Sequence, residues 1–99
     1  MATSIFSRRN IFRNSINSNV LFMKNLLNAI QNTCIAISQK EGGKYTASFF
    51  YYGQSNIVHV DVYDKNREPF QNHNVDLDSK NPTPELQKIL DQLTLFYNE

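Results

Sequence analysis

A chain of 99 residues with a formal net charge of +1 fits one domain, and folding at this size hides only about 60 to 68% of the surface that the unfolded chain exposes. Its single cysteine excludes an internal disulfide. No apolar run reaches membrane-spanning length, and no secretory signal pattern opens the chain, so a cytoplasmic protein with no membrane partner is expected.

The near-neutral total hides an asymmetry, because Arg8, Arg9, Arg13, Lys24 and Lys40 meet no acidic residue until Glu41, after which acids predominate. Residues 1–14 combine the three arginines with Ile5, Phe6, Ile11 and Phe12. At roughly 100° per residue, Ile5 and Phe12 share a helical face with Arg9, so basic and apolar sides do not separate as an amphipathic presequence requires. The expected organisation is a basic N-terminal arm, flexible or docked, followed by one α+β domain over residues 15–99. Asparagine recurs throughout the first third of the chain, which fits an AT-rich coding source and suggests a bacterial or phage accessory protein.

From Ser15 to Lys40, Ile16, Val20, Met23, Leu27, Ile30, Cys34 and Ile37 recur at alternating spacings of four and three, which predicts one apolar face of a helix. Ser15 or Ser18 is the expected N-cap, and Gly42 and Gly43 the terminator. Flanking positions Asn17, Lys24, Gln31 and Ser38 on one side, with Asn19, Leu26 and Thr33 on the other, offer almost no charge pairing. A helix packed on a sheet is therefore expected in place of a coiled coil.

Residues 44–52 and 57–64 are rich in aromatic and β-branched types, with Gly53, Gln54, Ser55 and Asn56 between them as a turn. A four-residue loop sets Tyr51 opposite Val58, Phe49 opposite Val60 and Ala47 opposite Val62, giving one apolar face to meet the helix. The other face carries Thr46, Ser48, Phe50 and Tyr52 beside Ile57, His59, Asp61 and Tyr63. Asp64, Lys65 and Asn66 make a second turn, and residues 67–77 return as a third strand. Pro69 and the out-of-step Phe70 predict an edge position and a bulge there. Thr83 is the expected cap of a second helix, with Pro84 at its first position and Leu86, Ile89, Leu90, Leu93, Phe96 and Tyr97 as its stripe. The fold class is thus α-β-β-β-α, a three-stranded antiparallel sheet with both helices on one face.

No constellation of side chains points to catalysis. Cys34 lies within the helix stripe, where a thiol is a packing group and not a nucleophile. His59 and His73 fall on different strands without spaced metal ligands, and each reads as a surface residue. Asp76 and Asp78 share a strand face but read as a solvated lead-in to the second helix. Gly42 and Gly43 follow a helix and lack the lysine of a phosphate loop. No cofactor, metal or enzymatic role is expected.

The element order resembles the double-stranded RNA-binding domain, whose second helix opens on a basic cluster that grips phosphates. Here that position holds Pro82, Thr83, Pro84 and Glu85, with only Lys80 and Lys88 near, so no binding residue carries over. The leading functional expectation is a small accessory or inhibitory binding protein. It acts through the outer sheet face at Phe50, Tyr52, Ile57, His59 and Tyr63, on a protein partner or a second copy of itself. The alternative is nucleic-acid binding, with Arg8, Arg9 and Arg13 on phosphates and the face aromatics stacking bases. A third arrangement has the N-terminal arm or the C-terminal end fold across the aromatic face and complete the monomer's core.

Overall fold

The structure is a computed structural model that describes the backbone from Ala2 to Glu99 and side chains from Val20 onward. Its elements are α1 (Ala2–Gln39), β1 (Tyr45–Tyr52), β2 (Ile57–Asp64), β3 (Pro69–Asp76) and α2 (Pro82–Asn98). The fold is α-β-β-β-α, with an open antiparallel sheet in the order β1-β2-β3.

The start expected for the first helix near Ser15 or Ser18 is not a boundary, since α1 begins at Ala2. Whether Ile5, Phe6, Ile11 and Phe12 cover the sheet turns on side chains that lie outside the described residues. Within the described part, the stripe departs from its heptad reading in one informative way. Leu26, assigned to a flanking position, is 5% exposed and joins Ile30, Cys34 and Ile37 in the core, whereas Val20, assigned to the stripe, is 38% exposed. A straight α-helix drifts about 20° per heptad against a strict seven-residue repeat. Moving toward the N-terminus, the series Cys34, Leu27, Val20 accordingly runs from buried through half-buried to exposed. α1 ends as expected: Gly42 takes a positive φ of 70°, and the Gly43 N–H donates to the Lys40 carbonyl at 3.0 Å.

β1 and β2 pair in the expected register, Ala47 with Val62, Phe49 with Val60 and Tyr51 with Val58. Val58, Val60 and Val62 are fully buried beneath the helices and share one core with Ile30, Leu86, Ile89 and Leu93. Asn56 holds the turn at φ 56°. Its carbonyl accepts from Leu77 N–H at 2.9 Å, and its amide donates to Asp78 at 2.8 Å, so the hairpin tip is tied to the segment that enters α2. Asp78 in turn donates its N–H to the Asp76 carboxylate at 2.9 Å. This pair of acids builds a turn.

β3 is an edge strand with a bulge where Val62 and Tyr63 face it. The extra residue turns Phe70 to the helix side, where its ring lies 5.4 Å from Tyr45 and 5.5 Å from Phe96. Phe70 is out of alternation in the sequence, and the bulge is the means by which its ring meets Tyr45 and Phe96 at the rim of the core while staying 53% exposed. His73 also faces inward, opposite Val60, and is half-buried with Nε2 2.8 Å from the Gln71 side-chain oxygen. It is not the free surface residue expected, and burial lowers its pKa.

α2 starts two residues earlier than expected. Asn81 is its N-cap without a side-chain cap bond, and Pro82, Thr83 and Pro84 are already helical. The residue before a proline usually avoids the helical region, but a first turn needs no intrahelical N–H, so both prolines fit. Leu86, Ile89 and Leu93 are buried, while Tyr97 of the expected stripe is exposed. The Lys40 ammonium reaches the Tyr97 carbonyl and sits 5.1 Å over its ring, which fastens the end of α1 to the end of α2.

Candidate functional site

Because both helices pack on the Val58–Val60–Val62 side, the opposite side of the sheet is uncovered among the described residues. Strand alternation delivers Thr46, Ser48, Phe50 and Tyr52 from β1, Ile57, His59, Asp61 and Tyr63 from β2, and Asn72, Asn74 and Asp76 from β3 to this side. Of the site residues expected from sequence, four come together at one end. Phe50 stacks near Tyr52 with centroids 6.4 Å apart, lies 6.0 Å from the His59 ring, and Tyr52 is paired with Ile57. Phe50 and Tyr52 remain 45% and 51% exposed. Tyr63 stands four residues further along β2, about 13 Å away at strand spacing, and donates toward Asp61 at 3.5 Å. It belongs to a polar half of the face and not to the aromatic cluster. Arg8, Arg9 and Arg13 lie outside the described side chains.

That polar half is a connected network whose donor directions are fixed from one end. Asp61 only accepts, so Asn72 must turn its amide nitrogen to it, at 3.1 Å. The Asn72 oxygen then faces the Asn74 nitrogen at 3.4 Å. This leaves the Asn74 oxygen 2.6 Å from His59 Nδ1, while His59 Nε2 lies 2.8 Å from Asp61. Both ring nitrogens therefore meet acceptors, an arrangement that the imidazolium satisfies in full and neutral imidazole only on one side. The His59 pKa is raised accordingly: the Asn74 bond contributes most, and the Asp61 bond and charge reinforce it, against a lowering by burial. A proton-detected histidine titration should place His59 above its ordinary 6.5 and show the midpoint fall in Asp61→Asn. A raised folded-state pKa makes this network stabilising below pH 6.5, and the contribution fades as pH rises through the folded midpoint. His73, lowered by burial, works the other way, stabilising above pH 6.5 and losing that contribution as pH falls.

Sequence reasoning missed Asn72 and Asn74. Their period-two spacing was visible, but only the β2–β3 register sets Asn74 opposite His59 and Asn72 opposite Asp61. The outward residues include two carboxylates and no lysine or arginine, a charge that repels phosphate backbones. Cys34 stays in the core as expected, and desolvation pushes its thiol up to about 11. A further apolar exposure at Val20, Leu21 and Phe22 adjoins the part of α1 whose side chains are not described. Among the described residues, no helix is long and apolar enough to cross a membrane. No family model, curated protein or solved structure matches the chain, and the likeness to double-stranded RNA-binding domains is one of element order alone.

Proposed function

We propose that the chain is a non-catalytic binding protein that engages a protein partner through the outer face of its sheet, centred on Phe50 and Tyr52 with Ile57 and His59 beside them. One observation carries this reading: two large aromatic side chains stand about half exposed, side by side, on a sheet face that no described element covers. Desolvating such rings is the usual source of interface affinity, and aromatics with a polar rim are typical interface composition. The His59–Asp61–Asn72–Asn74 network supplies that rim with its hydrogen bonds already satisfied, so a partner desolvates few unpaired groups there.

Affinity capture from the native cell tests the reading. Phe50→Asp and Tyr52→Asp, both at exposed positions, are expected to keep the thermal midpoint within a few degrees and to lose the partners that the natural sequence retains. Retention of the same partners by both variants would rule out this face.

A further inference from the structure

The same strand that presents Phe50 and Tyr52 also leaves its other backbone side open. Residues of an antiparallel strand turn their N–H and C=O alternately toward and away from a given neighbour. Ala47 belongs to the outward set, because its N–H donates to Ser38 Oγ at 2.9 Å and its carbonyl accepts from the same hydroxyl at 3.0 Å. Phe49 and Tyr51 follow Ala47 at the strand's two-residue period, so their N–H and C=O point the same way, and no described strand lies beyond β1.

Open edges are commonly guarded by charge, proline or a bulge. β1, with the sequence Tyr-Thr-Ala-Ser-Phe-Phe-Tyr-Tyr, has no charge and no proline, and its ladder to β2 is unbroken. Among the described residues the sole guard is Ser38 at Ala47, which leaves the Phe49–Tyr51 stretch free of any described partner on this side. Alongside it runs a groove of about 300 Å³ between α1 and β1, walled by Gln31, Cys34, Ile35 and Phe49 and without a charged residue in its lining. Ile35 is 47% exposed on the helix wall.

We infer that this edge is a docking site for an extended, uncharged segment of another protein, which adds to β1 as a fourth strand. The ligand is recognised first as backbone, through paired bonds to Phe49 and Tyr51. Strand alternation then sets its side-chain chemistry. The residue opposite Phe49 faces the groove and is a medium-sized aliphatic, while the residue opposite Phe50 lies on the outer face about 5 Å away and is aromatic or β-branched. Charged side chains find no counter-charge in the groove. A folded second copy fits less well, because Ser38 brings α1 down to the strand edge and a two-fold edge pairing sets both α1 helices on the same side of one seam. The inference does not rest on the outer-face reading, since backbone pairing at Phe49 and Tyr51 stands whether or not Phe50 and Tyr52 meet a partner.

The test uses an acetylated, amidated Thr-Tyr-Val-Tyr-Thr peptide titrated into the isotopically labelled full chain, with backbone amide shifts as the readout. The expected result is a saturable shift at Phe49 and Tyr51. Methylating the nitrogen of the central valine, or introducing Ile35→Glu, should weaken binding about tenfold. Ser38→Ala, which frees the Ala47 pair, should tighten it. Absence of any shift at about millimolar peptide overturns the inference, as does undiminished binding of the methylated peptide. Shifts confined to Phe50, Tyr52 and His59 would likewise overturn it, while favouring the outer face alone.

Discussion

Leu26→Ala is expected to lower the unfolding free energy by about 3 kcal/mol, and Val20→Ala by no more than about 0.5 kcal/mol, although the heptad pattern ranks them the other way. The reason is angular. Taking Ile30 as the centre of the buried face, Leu26 lies about 40° to one side and Val20 about 80° to the other at 100° per residue. Leu26 is nearly inaccessible and Val20 is not. Removing three carbons at Leu26 forfeits their transfer energy and leaves a cavity between the helix and its neighbours, whereas the Val20 side chain is partly in water already. Urea melts of both variants against the natural chain decide the matter. Equal losses would mean that α1 keeps a strict heptad face and bends to do so.

Val60→Asp should abolish the folded state, whereas Phe50→Asp, one strand away, should preserve it. Val60 is fully buried between Phe49 and His73 in the sheet register, and among the described residues no cationic side chain belongs to the buried core. An unpaired carboxylate there costs several kcal/mol even after it protonates or admits water. A domain of this size has only about 5 to 15 kcal/mol in total. Phe50 points to the opposite side, where an aspartate stays hydrated. Circular dichroism of the two purified variants separates the cases, and a folded Val60→Asp protein would show that the two sheet faces have been assigned the wrong way round.

The elements whose rules are local could be read directly. The four residues Gly53 to Asn56 between two alternating runs leave one sensible hairpin register, because a one-residue slip would turn Val58, Val60 and Val62 to solvent. The edge position and bulge of β3 followed from Pro69 and from Phe70 being out of step with Val75. What local rules could not supply was the phase of α1 against its neighbours, and there Leu26 was misplaced. The start of α2 was missed for a related reason: Thr83 is a good cap by type, but the chain enters from Leu77 and Asp78, which are pinned to Asn56, and the helix begins at Pro82. In the candidate site, Phe50, Tyr52, Ile57 and His59 were legible because alternation along two adjacent strands is a sequence property. Their polar neighbours Asn72 and Asn74, and the open edge beside Ser38, were not, since each depends on contacts between residues distant in the chain.

By itself, then, the sequence determined the order of elements, the pairing of β1 with β2 and the two-sidedness of the sheet. Periodicity and turn chemistry act within a few residues, and these features need nothing more. The tertiary structure alone decided which angular sector of α1 is buried, that the Phe70 ring meets Phe96, that His59 faces two acceptors, and that Ser38 closes one position of the β1 edge while Phe49 and Tyr51 stay open. Those are properties of how surfaces meet, and packing between distant segments sets them.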